Sequence, residues 1–117
     1  MVLYFNDQSE DYYSAVVVAQ KGTQADTLSA ADFDNFTGSE YGHVTVSQKN
    51  TTYSITLNAT GISDVQTAAD NSAVAKICLR EYTHDYLNSA PTTGVNVSGI
   101  SFADNSSNKP YIIVTSH

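Results

Sequence analysis

A chain of 117 residues that is 41% hydrophobic, with eight Tyr and four Phe, carries enough apolar surface for one packed domain and is too short for two ordinary cores. Twelve acids against five scattered bases, Lys21, Lys49, Lys76, Arg80 and Lys109, give a net charge of −7 with no basic patch, which argues against a nucleic-acid binder. The lone cysteine, Cys78, rules out an intrachain disulfide or a cysteine-based zinc site and reads as a small buried apolar residue.

Charged residues make up only 15% of the chain, below the roughly 25% of an average soluble domain, and Ser, Thr and Asn fill the gap. Such a surface suits strands and turns better than long solvent-facing helices. No basic segment leads into an apolar stretch at the N-terminus, and no run nears the ~18 apolar residues that span a bilayer. Synthesis in a reducing cytoplasm without membrane contact is therefore expected. The Asn-x-Ser/Thr sequons at Asn35, Asn50, Asn58, Asn96 and Asn105 are what a chain so rich in Ser and Thr contains by chance.

In chain order, Val2-Leu3-Tyr4-Phe5 is a short apolar strand closed by Asn6-Asp7. The run Tyr12 to Ala19 contains three successive valines, the pattern of a central strand buried on both faces, and Lys21-Gly22 should end it as a turn. Residues 26–37 fit either one or two helical turns with Leu28, Ala31 and Phe36 inward, or a loop pinned by Phe33 and Phe36. Gly38 and Gly42 mark a boundary before His43–Ser47 and Tyr53–Leu57, two alternating stretches that read as a hairpin with a five-residue connection. Val44 and Val46 would share its buried face with Tyr53, Ile55 and Leu57.

Gly61 then breaks the strand, and Ser63-Asp64-Val65-Gln66 has the form of a capping box. Val74, Ala75, Cys78, Leu79, Tyr82 and Tyr86 form a helical stripe, with Asp70-Asn71-Ser72 a possible break and Asn88 and Pro91 the stop. A rival reading places Ala75, Ile77 and Leu79 on one face of a strand. Gly94–Phe102 and Pro110–Thr115 complete a second hairpin, Gly99 marking a bulge and Pro110 a strand start. The expected fold is a single α+β domain over residues 1–117. It is predominantly antiparallel β, with two hairpins plus N-terminal strands and one main helix at about 64–88.

Few residues combine into chemistry. Glu81 and His84 stand three apart, as in carboxylate-bridged metal bundles, but one such motif is too few, so a solvated face with a Glu81–His84 contact is the simpler reading. Asp32-Phe33-Asp34-Asn35 starts like a calcium loop and fails where Phe36 and Thr37 replace a ligand and the glycine. His43 and His117 lack an evident nucleophile or base, and no nucleophile elbow or phosphate loop occurs. No catalytic, cofactor-binding or metal-binding residue is assigned, and no cofactor is expected. Most of Tyr12, Tyr53, Tyr82, Tyr86 and Tyr111 should lie in the core or in a subunit interface.

Rich in Ser, Thr and Asn, opening on Met-Val-Leu-Tyr-Phe and ending on a strand, the whole chain resembles small virion structural proteins of tailed bacteriophages. The resemblance implies a non-enzymatic capsid decoration (cement) or head–tail protein that works in the virion after assembly in the host cytoplasm. Its partners would be copies of itself in a homo-oligomer and other capsid or tail proteins, without nucleic acid or membrane. The alternative is a fibre-associated glycan- or cell-surface-binding module, and a small metal-dependent enzyme ranks behind both.

Overall fold

A computed structural model describes residues 1–8, 15–25, 27, 29–90, 98–101 and 104–115. Seven elements of regular length succeed one another: β1 (Val2–Gln8), β2 (Ala15–Gly22), β3 (Phe36–Val46), β4 (Thr51–Ser54), α1 (Ala59–Asp70), β5 (Ile77–Glu81) and β6 (Ser98–Ile100). A short 3₁₀ helix, Ala30–Asp34, precedes β3, and a single π-helical turn, Tyr82–Tyr86, follows β5. The strands form two antiparallel three-stranded sheets, ordered β4-β1-β6 and β3-β2-β5. With its one main helix the fold is α+β and β-dominated, the class the sequence implies.

Each central strand carries the strongest apolar pattern of its sheet. Leu3 and Phe5 of β1 meet Val17 and Ala19 of β2, joined by Tyr41, Val46 and Ile55, in one core between the sheets. Burying side chains of this size stabilises by about 1.5–3 kcal/mol each. Tyr53 adds an edge-on contact to the Phe5 ring at 5.7 Å. The valine run of β2 is central, as its sequence indicates, and Val18, pointing away from that core, is also 0% exposed.

Several pairings differ from expectation. His43–Ser47 and Tyr53–Leu57 do not form a hairpin: β3 pairs with β2 and β4 with β1, so the turn between them joins two facing sheets. Alternation fixes which side of a strand is buried but not which neighbour it bonds to. Lys21 and Gly22 do not turn. They continue the ladder, opposite Thr37 and Phe36 on one side, with Lys21 opposite Ile77 on the other. In the 26–37 stretch Ala30–Asp34 is a 3₁₀ helix with Ala31 exposed, and Phe36 already opens β3.

At the C-terminal end, Ser98–Ile100 runs antiparallel to β1, and the chain returns to the same strand at Tyr111, opposite Val2. The predicted second hairpin is thus a single edge interrupted by a loop. The β1–β6 ladder shifts register opposite Gly99, with the extra residue on β1. Val95, Val97 and Phe102 lie outside the described residues, as do Tyr12, Leu28, Pro91 and His117.

The helix is displaced from about 64–88 to Ala59–Asp70. Its cap is Asn58, whose Oδ1 accepts from Gly61 N–H at 3.0 Å while its amide donates to the Glu40 carbonyl at 2.8 Å. Ser63 lies inside the helix, its carbonyl accepting from Thr67 Oγ1. Asp70-Asn71-Ser72 ends the helix, with Ser72 left-handed at φ 53°. Residues 77–81 then become a strand, as in the rival reading, because the open edge of β2 supplies backbone partners and the core receives Ile77 and Leu79. Tertiary pairing overrides a helical stripe here.

Gly61 is no strand breaker but a contact: a Cβ there would lie 2.8 Å from the Tyr41 ring. Gly38 and Gly42 lie within β3 at its two register shifts, with φ of 78° and 152°. A Cβ on Gly42 would meet the Thr56 carbonyl oxygen at 2.4 Å, whereas one on Gly38 meets nothing within 4 Å. Gly42→Ala should therefore cost about 2–3 kcal/mol and Gly38→Ala about 1 kcal/mol in urea unfolding. Equal losses would show that the approach of Thr56 is not what demands glycine at 42.

Candidate functional site

Residues facing one another across a ladder share a side of the sheet, so His43, Val18 and Arg80 form one row on the outer face of β3-β2-β5, and Glu40, Gln20 and Cys78 the next. The π turn packs against β2, whose Val18 on this face is fully buried. Glu81 shapes the turn: its carboxylate accepts from the backbone N–H groups of His84 and Asp85. A carboxylate at a helix N-terminus satisfies amides that have no partner within the turn.

Arg80 is the centre of the cap, its side chain only 12% exposed. Nε and one terminal nitrogen form a fork onto the Asp85 carboxylate at 3.0 and 2.8 Å, and the other terminal nitrogen donates to Gln20 Oε1 at 3.0 Å. Gln20, itself buried, passes the chain on by donating to the Gly38 carbonyl. The guanidinium plane lies 3.6 Å from the centre of the Phe36 ring, a desolvated cation–π contact worth about 1–2 kcal/mol. Asp85 in turn holds the Arg80 proton more tightly, and Arg80 lowers the Asp85 carboxyl below its ordinary value, against a partial opposing effect of burial.

Beside this cluster three rings stack in a row. His43 lies 4.8 Å from Tyr82, and Tyr82 lies 5.6 Å from Tyr86 at 16°. His43 Nδ1 sits 2.8 Å from Glu40 Oε2, and the Tyr86 hydroxyl oxygen accepts from Glu40 N–H at 3.1 Å. Tyr82 is thus in ring contact with both His43 and Tyr86, and the three rings are packed on one another. Cys78 lies beside it with its thiol pushed up by burial, in a cleft of about 260 Å³ shared with Asp32, Asp34, Phe36, Arg80 and Asp85.

On the helix side, the bulge at Gly42 turns Tyr41 toward α1. Its hydroxyl donates to Asp64 Oδ2 at 2.6 Å, and Lys21 Nζ reaches Asp64 Oδ1 at 3.1 Å. Burial, then the Asp64 carboxylate, push the Tyr41 hydroxyl far above its ordinary value. Asp64 is held below its own, first by that hydroxyl and then by Lys21.

The residues singled out in the sequence are thus largely committed to structure. Asp32 spends its carboxylate on Ser29 N–H at 2.6 Å and the Asn35 amide at 2.7 Å, which holds the 3₁₀ helix. The side chain of His84 approaches not Glu81 but the Ser89 carbonyl, Nδ1 to oxygen 3.0 Å. Among the described residues, no three His, Cys, Asp or Glu side chains gather as metal ligands would. Arg80 and Gln20 were missed as partners. The available signal was Gln20 itself, a polar residue directly after Val-Val-Val-Ala in a strand with both faces buried, which must find a hydrogen-bond partner.

The architecture is that of a β-rich domain whose polar clusters hold loops to sheets. Its sequence matches the MBG domain family over residues 5–99, and the chain belongs to that family. The match runs from β1 into β6. No curated protein and no solved structure matches the chain.

Removing the guanidinium by Arg80→Ala leaves Gln20 Oε1 and the Asp85 carboxylate without their donors and should cost about 2–3 kcal/mol in chemical denaturation. Arg80→Lys should recover less than half, because one ammonium cannot serve both partners in that geometry. A lysine variant as stable as the parent would show that the fork is dispensable.

Because the Asp85 carboxyl is lowered in the folded state, its contribution to stability is complete above the ordinary value of 3.8 and fades as pH falls toward the folded value. The difference in Tm between the parent and Asp85→Asn should accordingly be largest near neutrality and close below about pH 3.8. A gap that stays constant down to pH 2.5, a value about one unit below, would remove the ion pair from the account.

Proposed function

We propose that this protein is a non-catalytic module of a surface- or adhesion-type protein, acting through contact with other macromolecules. Membership of the MBG family carries the reading, since this β-rich domain occurs in some proteins of that type. The chemistry of the chain agrees with it. Arg80, Asp85, Gln20, Asp32 and Glu81 are committed to one another or to backbone groups, which leaves no poised acid–base pair among them. The lightly charged, Ser/Thr/Asn-rich surface with net charge −7 also suits a domain that remains soluble while presenting polar contact area.

A phage virion would use the same contact chemistry on a particle instead of a cell, and one experiment separates the two placements. Antibody raised against the purified chain should label intact cells of the source organism, and brief surface proteolysis should remove the label. Signal found only in purified phage particles, or only after cell lysis, would overturn the surface reading.

A further inference from the structure

From Tyr111 onward the chain carries four consecutive large apolar residues, and all four are exposed: Tyr111, Ile112, Ile113 and Val114, the last two at 68% and 75%. Tyr111 exchanges both backbone hydrogen bonds with Val2, at 2.8 and 3.1 Å, and so ties the start of the segment antiparallel to β1. Beyond it, among the described residues, no backbone hydrogen bond forms along Ile112–Thr115. Apolar side chains in succession, with no backbone bond to another described residue beyond Tyr111, describe a segment suited to burial by another strand. The segment lies outside the residues matched by the family, 5–99.

We infer that Tyr111–Thr115 is a self-association strand, which pairs antiparallel with the same segment of a second copy to join two sheets across a two-fold axis. The inference concerns a surface outside the family match and does not depend on where the protein resides. Three observations select a second copy as the occupant.

First, the segment is self-complementary. With Ile113 on the axis, Ile112 faces Val114 and Tyr111 faces Thr115, giving β-branched and aromatic cross-strand pairs. Second, it is free of charge. A protein of net charge −7 repels its own copies, yet this segment carries no charged side chain, and the adjoining cleft of about 400 Å³ is lined by no acidic residue, its one ionic group being the Met1 ammonium, which donates to the Ile55 carbonyl at 2.8 Å. That cleft is lined by Ile55, Leu57, Ile62 and Val65 along with Ile112–Thr115, whereas the clefts at Asp64 and Arg80 both carry carboxylates. Acidic copies repel one another least at a patch without carboxylates. Third, the exposed apolar surface is concentrated here: of the seven large apolar residues left exposed among the described residues, Tyr111, Ile112, Ile113 and Val114 are consecutive and Ile62 lines the same cleft.

Sedimentation velocity of the 117-residue chain from about 1 to 100 μM should show a monomer–dimer equilibrium with a micromolar dissociation constant. Raising NaCl from about 0.05 to 0.5 M should tighten it several-fold by screening the −7 charges. Ile113→Lys sets two ammonium groups against each other on the axis and should abolish the dimer while leaving the circular dichroism spectrum unchanged. Val74→Lys, at an equally exposed apolar residue away from the strand, should dimerise like the parent. Hydrogen exchange should show amide protection along 112–115 that grows with concentration. A parent that remains monomeric, assembles beyond two copies, or dimerises equally well as Ile113→Lys would overturn the inference.

Discussion

Burial of β2 from both sides is the constraint to which the other elements answer, because a strand carrying Val17, Val18 and Ala19 in succession exposes apolar surface in either direction unless two separate layers cover it. One layer is the facing sheet, through Leu3 and Phe5. The other is the cap made by Arg80, Tyr82, Tyr86 and His43. The two are unlike in chemistry. The inner layer is apolar and needs only shape and volume, whereas the outer layer contains a guanidinium, an amide and a carboxylate, and holds only while all three remain paired.

The bulges of β3 link these layers to the helix. By inserting residues into the ladder at Gly38 and Gly42, the strand can direct Tyr41 into the core and toward Asp64 while its neighbours Glu40 and His43 remain on the capped face. One strand thereby serves both covers of β2 and also the anchoring of α1, whose cap residue Asn58 donates to the carbonyls of Glu40 and Tyr41. Regular pairing along the same eleven residues could not do this, since strict alternation would turn Tyr41 outward.

What could be read from the sequence follows the range of the interactions involved. The valine run declared a central strand because its cause is local. The alternation in 43–47 and 53–57 gave the buried faces correctly but misassigned the partner, which is chosen by β1 and β2 from the other end of the chain. Residues 72–88 satisfied both a helical and a strand pattern, and the open edge of β2 decided between them. Gly61 looked like a breaker because its reason, the Tyr41 ring, sits twenty positions away. The cap was invisible for the same cause: Gln20, Phe36 and Arg80 lie far apart in order, and only the pairing of β2 with both β3 and β5 brings them together.

Cys78 lies on the same face as Arg80 and lines the cleft beside it, its thiol raised by burial and so slow to react. Asp85, which anchors the π turn through Arg80, lines the same cleft. The salt bridge that holds the outer cover of β2 thus also forms a wall around the chain's single thiol, and a chemical reagent aimed at that sulfur reads the surroundings of the bridge directly.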